Sequence, residues 1–216
     1  MNLPSSREDA PPDALAKLPA KQRRSQITYD KLIESGFRLL EGREWDAIPV
    51  AEIAEQAGYS VGAFYARFKN KDEFQRALVR CFAAERLAAI DRLFAEASDE
   101  ELLGAYFGDI VTRLWRNRFF WRACLFRSIQ DPHFWEPMRQ IAGRVRAEFA
   151  ARAARRIGRP LTKAEALDLG FALQLTNGAI NNMMINRPGP ISLDDPDFVD
   201  RLEQAFRKVS GWDALR

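Results

Sequence analysis

The sequence has only one histidine and two cysteines among its 216 residues, and this scarcity restricts its metal chemistry. Protein sites for zinc use several histidine or cysteine ligands at short, regular spacings. This chain has no second histidine and no closely spaced pair of cysteines, and it lacks a glycine-rich loop that would cradle phosphates. We therefore expect no bound metal and no cofactor.

Catalysis by these few residues has one conceivable form, a cysteine–histidine pair. Cys124 lies nine residues before His133, across the helix-breaking Pro132. A nucleophilic cysteine needs a base held beside it, and no surrounding motif provides that arrangement. A buried thiol and a histidine at the start of a helix explain the same residues more simply, so the sequence does not predict an enzyme. Free thiols also fit a reducing cytosol, and no structural disulfide is expected.

Strand-like patterns and long apolar runs are missing as well. No stretch alternates apolar and polar residues as a half-buried strand does. No apolar run reaches the roughly 18 residues that a membrane-spanning helix needs, and the N-terminus has no apolar signal core. The sequence instead predicts an all-α protein of about nine helices that is cytoplasmic and does not enter a membrane. Hydrophobic residues make up 47% of the chain, which is ample for a buried core.

The net charge is only +3 at pH 7, although charged residues make up 29% of the chain. A protein that coats nucleic acid through its overall charge is far more basic than this, so any DNA binding would depend on a local cluster. Residues 1–22 contain four prolines and few large apolar residues, and we interpret them as a flexible tail. The basic residues that follow, including Arg24, are either a solvated cluster or an arm that contacts DNA.

Residues 50–71 have the pattern of two short helices joined by a tight turn. Apolar residues from Val50 to Ala57 recur at the spacing of one helical face, and Gly58 permits the left-handed backbone of a helix C-cap. Ser60 is a suitable N-cap for a second helix, predicted over about 61–68. Two helices in this arrangement form a helix-turn-helix, whose second helix enters the major groove of DNA.

The second of these helices has residues suited to contact with DNA. It begins with Val61-Gly62-Ala63, which are small enough to let the backbone approach base edges closely. Donors for phosphate oxygens follow in Tyr65, Arg67, Lys69 and Lys71. An ordinary helical hairpin with solvated basic residues is the alternative, and small residues and charges alone do not exclude it.

The full spacing is more specific than its parts. The segment IAEQAGYSVGAFYARFKNKDEF, which begins at Ile53, resembles the DNA-binding domain of the TetR family of bacterial transcriptional regulators. The resemblance extends back to Leu32, and beyond residue 85 only the number and length of the helices are similar. Two departures stand out: Glu44-Trp45 replaces the family's usual Gly-Tyr, and Ile48-Pro49 replaces its usual Thr-Ser, which supplies a hydroxyl contact to phosphate.

The resemblance implies a DNA-binding domain over residues 23–85, with the helix-turn-helix at about 50–69. Residues 86–216 would then form a C-terminal domain for effector binding and dimerisation. The implied partner is a pseudo-palindromic operator in double-stranded DNA, bound by a homodimer. The candidate DNA-binding residues are Arg24, Ala51, Ser60, Val61, Gly62, Ala63, Tyr65, Arg67 and Lys71.

Aromatic residues are dense between Tyr106 and Trp135. They suit either a cavity for an apolar ligand or the filling of a core, and the residues alone do not decide between the two. The resemblance favours a cavity, because the C-terminal domains of the family usually enclose an effector pocket here. The candidate lining residues are Phe107, Val111, Phe126 and Met138.

A predicted helix over residues 163–186 has a regular apolar seam, which is formed by Leu169, Leu173, Thr176, Ile180 and Met183. Because the family dimerises through its last two helices, the resemblance assigns this seam to a dimer interface. We therefore expect a homodimeric repressor that a small apolar or aromatic effector releases from its operator. The alternative is a helical small-molecule-binding or interaction protein without operator binding.

Overall fold

The computed structural model describes residues 19–215, so most of the predicted tail lies outside the described residues. Over this range the protein has nine α-helices and no strand, which confirms the all-α prediction. The helices are α1 (Ala20–Leu40), α2 (Val50–Gln56), α3 (Val61–Tyr65), α4 (Lys71–Glu96), α5 (Leu102–Arg116), α6 (Arg118–Gln130), α7 (Glu136–Ile157), α8 (Lys163–Asn186) and α9 (Phe198–Ser210). Short 3₁₀ helices lie at Trp45–Ala47 and Pro132–Trp135. Within residues 19–215, none of the helices has the length and apolarity needed to cross a membrane.

The chain divides into two compact units between Glu85 and Arg86, and α4 contributes residues to both. In the first unit, α1 is fixed to α2 by a buried hydrogen bond, since the Ser35 hydroxyl donates to the carbonyl of Ile53 at 2.9 Å. The buried hydroxyl thereby has an acceptor, a carbonyl that also accepts the hydrogen bond of the Ala57 N–H.

Three phenylalanines fix the helix-turn-helix on the start of α4. The ring of Phe64 in α3 lies 5.3 Å from that of Phe68 and 5.2 Å from that of Phe74, and Phe68 lies 4.9 Å from Phe74. All three are almost completely buried. The two pairs that involve Phe74 are edge-to-face, and such contacts add about 0.5–1.5 kcal/mol per pair beyond the burial of apolar area. The short α3 is therefore held by its buried face, which leaves its opposite face to solvent.

The second unit has an aromatic core between α5, α7 and α9. Phe149 of α7 lies at its centre, with ring distances of 5.1 Å to Tyr106, 5.2 Å to Phe206 and 5.6 Å to Trp212. α9 packs against α8 and α5, and its apolar stripe closes this core. Many of the aromatic residues in the dense region of the sequence therefore fill the interior.

Candidate nucleic-acid interface

The turn between α2 and α3 has the caps that the sequence indicates. Gly58 adopts φ +77°, a left-handed conformation that side chains other than glycine's rarely tolerate. The Ser60 hydroxyl accepts a hydrogen bond from the backbone N–H of Ala63 at 3.2 Å and so caps the start of α3. These two residues set the angle between α2 and α3.

The face of α3 opposite the phenylalanines is open to solvent. Val61 is 40% exposed and Tyr65 is 53% exposed, although both have large side chains that would contribute to a core if they were turned inward. A Cβ added at Gly62 would meet only the Ser60 hydroxyl, at an ordinary contact distance of 3.7 Å. No packing inside the protein therefore requires glycine at this position. Ala51 and Ser60 are also exposed, whereas Ala63 is half-buried.

Arg67, one of the predicted phosphate donors, is engaged within the protein. Its Nε–H donates to the carbonyl of Ser25 in α1 at 3.3 Å, and its Nη1 donates to the carbonyl of Ala63 at 3.1 Å. These bonds connect the end of α3 to α1. The guanidinium therefore helps to position α3 on α1, a contact that the sequence pattern did not indicate.

Lys71, another predicted phosphate donor, also contacts the protein. Its ammonium donates to the carbonyl of Trp45 at 2.6 Å and lies 4.4 Å from the centre of the Trp45 ring. Burial lowers the pKa of Lys71, and the nearby carboxylates Asp46 and Asp72 oppose that shift. The ammonium has further N–H groups beyond the one given to Trp45, so its contact with a phosphate stays a prediction. Arg24 and Lys69 are exposed.

The four predicted ligand-binding residues of the second unit differ in burial. Phe107, Val111 and Met138 are buried in the core, whereas Phe126 is 49% exposed. Their role in binding a ligand stays a prediction.

An open groove of about 650 Å³ lies along α4 and α5 of the second unit. Its lining is Ala89, Arg92, Leu93, Glu96, Ala97, Glu101, Ala105, Asp109 and Arg113. Asp109 is held by two arginines, because the buried Arg86 pairs with it and Arg113 Nε donates to it at 3.0 Å. This groove was not predictable from the sequence, since alanines and charged residues at helical spacing are typical of any solvated helix.

The predicted dimer seam on α8 lies inside the protomer. Leu169, Leu173, Thr176, Ile180 and Met183 are all buried by other parts of the same chain, which corrects their assignment to an interface. The opposite face of α8 has three large apolar residues in contact with solvent: Leu167 at 69% exposure, Phe171 at 49% and Leu175 at 44%. The sequence analysis missed this second stripe, although its members recur every four residues.

Comparison with known proteins supports the assignment of the first unit. The family model for bacterial regulatory proteins of the tetR family matches residues 32–78. An uncharacterised HTH-type transcriptional regulator, YwcC from Bacillus subtilis, is 42% identical over 53 residues. That match spans 24% of this chain and 24% of the relative's length.

Two solved structures share the overall fold. A regulator of fatty acid degradation, FadR from Bacillus halodurans, superimposes with a TM-score of 0.62 at 16% identity, over 82% of this chain and 93% of its own. A putative TetR-family transcriptional regulator from Mesorhizobium loti superimposes with a TM-score of 0.63 at 16% identity. The match covers 89% of this chain and 96% of that protein's chain. At these identities the likeness concerns the fold alone. The segment over residues 32–78 therefore matches the DNA-binding domain of bacterial regulatory proteins of the tetR family.

Proposed function

We propose that this protein is a sequence-specific transcriptional regulator that binds a pseudo-palindromic operator as a homodimer. The observation that carries the proposal is the exposed face of α3. Val61, Gly62 and Tyr65 are turned to solvent on a helix whose other face is fixed by buried phenylalanines. A rigid, exposed helix of small residues is what close approach to base edges requires.

The first turn of α3 has no side-chain donor or acceptor beyond its Ser60 cap. Base recognition there rests on apolar contact with thymine methyl groups, on backbone groups and on the shape of the DNA. The Tyr65 hydroxyl and the exposed Arg24 and Lys69 supply contacts to phosphates, which fix the register without selecting a sequence.

Dimerisation uses the exposed apolar face of α8. Leu167, Phe171 and Leu175 recur every four residues and therefore lie on one side of the helix. One recognition helix reads only a few base pairs, whereas a two-fold dimer reads two half-sites about one helical turn apart, roughly 34 Å, or a multiple of it. Burying three large apolar side chains that now face water also gives the association a hydrophobic driving force.

A small molecule acts as the effector of a repressor, and its site lies in the second unit. The groove along α4 and α5 offers the methyl groups of Ala89 and Ala105 beside the guanidinium groups of Arg92 and Arg113. Because three carboxylates also line the groove and Arg113 already pairs with Asp109, its alanine and leucine side chains are the part that suits a small apolar effector. α4 is continuous from Lys71 to Glu96, so it is the covalent connection between the groove and the DNA-binding unit.

Selection of fragments from the bacterial genome by the purified protein tests the proposal. We expect enrichment of DNA with an inverted repeat, bound with two protein chains per site. Gly62→Glu is the matched variant, because it places a charged side chain on the exposed face of α3 without disturbing a packed position. The variant should fold normally and lose the enrichment.

A protein that selects no DNA would instead have the alternative function, which is the binding of a small molecule without an operator. A protein that enriches no sequence, and that binds small apolar or aromatic compounds in a thermal-shift screen, is a helical ligand-binding protein without an operator. Operator affinity that stays unchanged when such a compound binds would show that the compound is not an effector, since coupling requires differential affinity for two states.

A further inference from the structure

The outward face of α8 changes character halfway along the helix. Its first half has the exposed apolar stripe Leu167–Leu175. In its second half the exposed residues on the same side are Gly178 and Asn182, which continue the stripe at spacings of three and four residues. Asn186 at the end of α8 is exposed too, and its amide donates to the Asn182 side chain at 2.7 Å. The outward face is therefore apolar in the first half of α8 and polar in the second.

This division restricts how two copies of α8 can pair. A two-fold axis that crosses the helix at a right angle sets the two copies of α8 antiparallel. The apolar first half of one copy then faces the polar second half of the other. Covering the Asn182 amide with large apolar side chains costs free energy, because the amide loses water without gaining a hydrogen-bond partner. The apolar stripe therefore needs an apolar surface beside the second half of the partner's α8.

α6 supplies such a surface, since it lies beside the second half of α8. The Trp121 indole N–H of α6 donates to the side-chain oxygen of Asn181 in α8 at 2.9 Å. Five residues later, about 7.5 Å along the helix, Phe126 is 49% exposed, and Ile129 follows at 75%. Ile129 is the most exposed of the large hydrophobic residues in the described part of the chain. Phe126 and Ile129 are three residues apart and lie on one side of α6.

The charges of the two surfaces are complementary. Residues 110–130, which include all of α6, have five arginines and no aspartate or glutamate. α8 has two acidic residues and one lysine, and the acidic Asp168 is exposed beside the apolar stripe. An α8 stripe that lies on α6 of another copy thus brings an acidic apolar surface to a basic apolar one.

We propose that α6 is part of the homodimer interface, with the apolar stripe of α8 lying on Phe126 and Ile129 of the partner subunit. The inference rests on the proposed function, which includes the homodimer and gives its interface to α8. Two-fold symmetry forms the contact twice, since each copy places its α8 on the other's α6. This arrangement covers the exposed apolar side chains of both helices, whereas a dimer that pairs only the two α8 stripes leaves those of α6 in water.

Ile129 gives the sharpest test of the proposal. Ile129→Asp places a charge where the proposal buries an apolar side chain, and at 75% exposure the isoleucine contributes little to the fold of the protomer. We expect the dissociation constant of the dimer to rise at least about a hundredfold in sedimentation equilibrium. Ile129→Gln, which adds no charge near the end of α6, should act in the same direction. A dimer as tight in both variants as in wild type would overturn the proposal.

Ile27→Asp is the matched control, because Ile27 is an isoleucine of the first unit with 40% exposure. It should leave the dissociation constant of the dimer unchanged. Circular dichroism and thermal unfolding of each variant ensure that only folded protein enters the comparison. Equal weakening by Ile27→Asp and Ile129→Asp would mean that the loss of dimer is not specific to α6, which contradicts the proposal.

A second substitution tests which helices meet. Leu167→Lys alone should also weaken the dimer. In a chain with both Ile129→Asp and Leu167→Lys, each introduced carboxylate faces an introduced ammonium of the other copy. The double variant should therefore dimerise about tenfold more tightly than the two separate effects predict, and added salt should remove this recovery. Strictly additive losses would show that α8 does not lie on the partner's α6.

A mixture of the two single variants excludes an attraction within one chain. Ile129→Asp and Leu167→Lys chains should form mixed dimers in preference to either homodimer, because only the mixed dimer brings the opposite charges together across the interface. Native mass spectrometry counts the three species. A statistical distribution of dimers would contradict the contact between α6 and α8.

Failure of this inference and failure of the proposed function are distinguishable. A wild-type protein that is monomeric at micromolar concentration contradicts the homodimer itself, and the α6 contact with it. A dimer that Phe171→Glu dissociates and Ile129→Asp leaves intact keeps the proposed homodimer through α8 and excludes only α6. Selection of DNA with an inverted repeat tests operator binding separately from both results.

Discussion

Gly36 of α1 lies directly against Phe74 of α4, so closely that a Cβ at position 36 would be 2.7 Å from the phenyl ring. The same Cβ would also lie only 3.1 Å from the side chain of Leu78. Phe74 is fully buried and part of the cluster that carries α3, so it has little space to move aside. The absence of a side chain at Gly36 thus permits the close packing of α1 on α4.

We predict that Gly36→Ala destabilises the protein by about 1–3 kcal/mol, which is typical of overpacking in a core. The higher helix propensity of alanine, worth about 1 kcal/mol, offsets only part of this cost. Chemical denaturation followed by circular dichroism measures the change. Gly62→Ala is the control, since its Cβ meets no packed atom. Equal stabilities of the two variants would contradict the close approach of α1 and α4.

Gly62→Ala also tests the reading of DNA by α3. We expect its free energy of unfolding to equal or exceed that of wild type, because alanine is the better helix former. Its affinity for the selected operator should nevertheless fall at least about tenfold, since the added methyl group stands between the helix backbone and the bases. Electrophoretic mobility shift on matched concentrations of folded protein gives the comparison. Unchanged affinity would mean that the backbone at Gly62 does not approach the bases.

The helix-turn-helix was predictable because its determinants are local. Gly58 and Ser60 impose the turn through backbone conformation and capping, and these effects depend on residue type alone. The partners of Lys71 and Arg67 were not predictable, since Trp45 lies 26 residues and Ser25 42 residues away. In the sequence, a basic residue near the DNA-facing positions predicts a contact with phosphate. The prediction is the same whether or not the fold places a carbonyl of the protein within reach of that residue.

The assignment of the Leu169–Met183 seam of α8 to a dimer interface was wrong for a different reason. α8 has apolar residues on two faces, one with Leu169 and Leu173 and the other with Phe171 and Leu175. Helical periodicity finds both stripes but does not determine which one the same chain covers. The boundaries of α8 were predictable, because Thr162 and Glu165 form a capping box at its start and Pro188 follows its end.

Two substitutions on α8 separate the interface from the core. We predict that Phe171→Glu keeps the fold and yields monomers, because Phe171 is exposed in the protomer and a charge there opposes association. Leu173→Lys should instead destabilise the protein by about 4 kcal/mol or more, since it buries an unpaired charge. Sedimentation velocity combined with thermal unfolding distinguishes the two outcomes. A wild-type protein that sediments as a monomer at micromolar concentration would exclude the proposed dimer.

Tyr106 gives the second unit a characteristic dependence on alkaline pH. Burial raises the pKa of Tyr106 to about 12 from its ordinary value of 10.0, with a smaller opposing effect from Arg86. Because the folded protein holds this proton more tightly than the unfolded chain, the associated stability is fully present below pH 10. It falls as pH rises from about 10 to 12, where only the unfolded chain loses the proton.

At pH 12 the free energy of unfolding is lower by about 2–3 kcal/mol because of this one group, by the usual conversion of a pKa shift to free energy. Tyr106→Phe removes the titrating hydroxyl and keeps the ring contacts with Phe107 and Phe149. The variant's stability should therefore decline less steeply than that of wild type across this pH range. Urea unfolding at pH 8, 10 and 11 measures the difference, and other alkaline titrations cancel between the two proteins. Parallel stability curves would show that the Tyr106 hydroxyl is not held in its neutral form by burial.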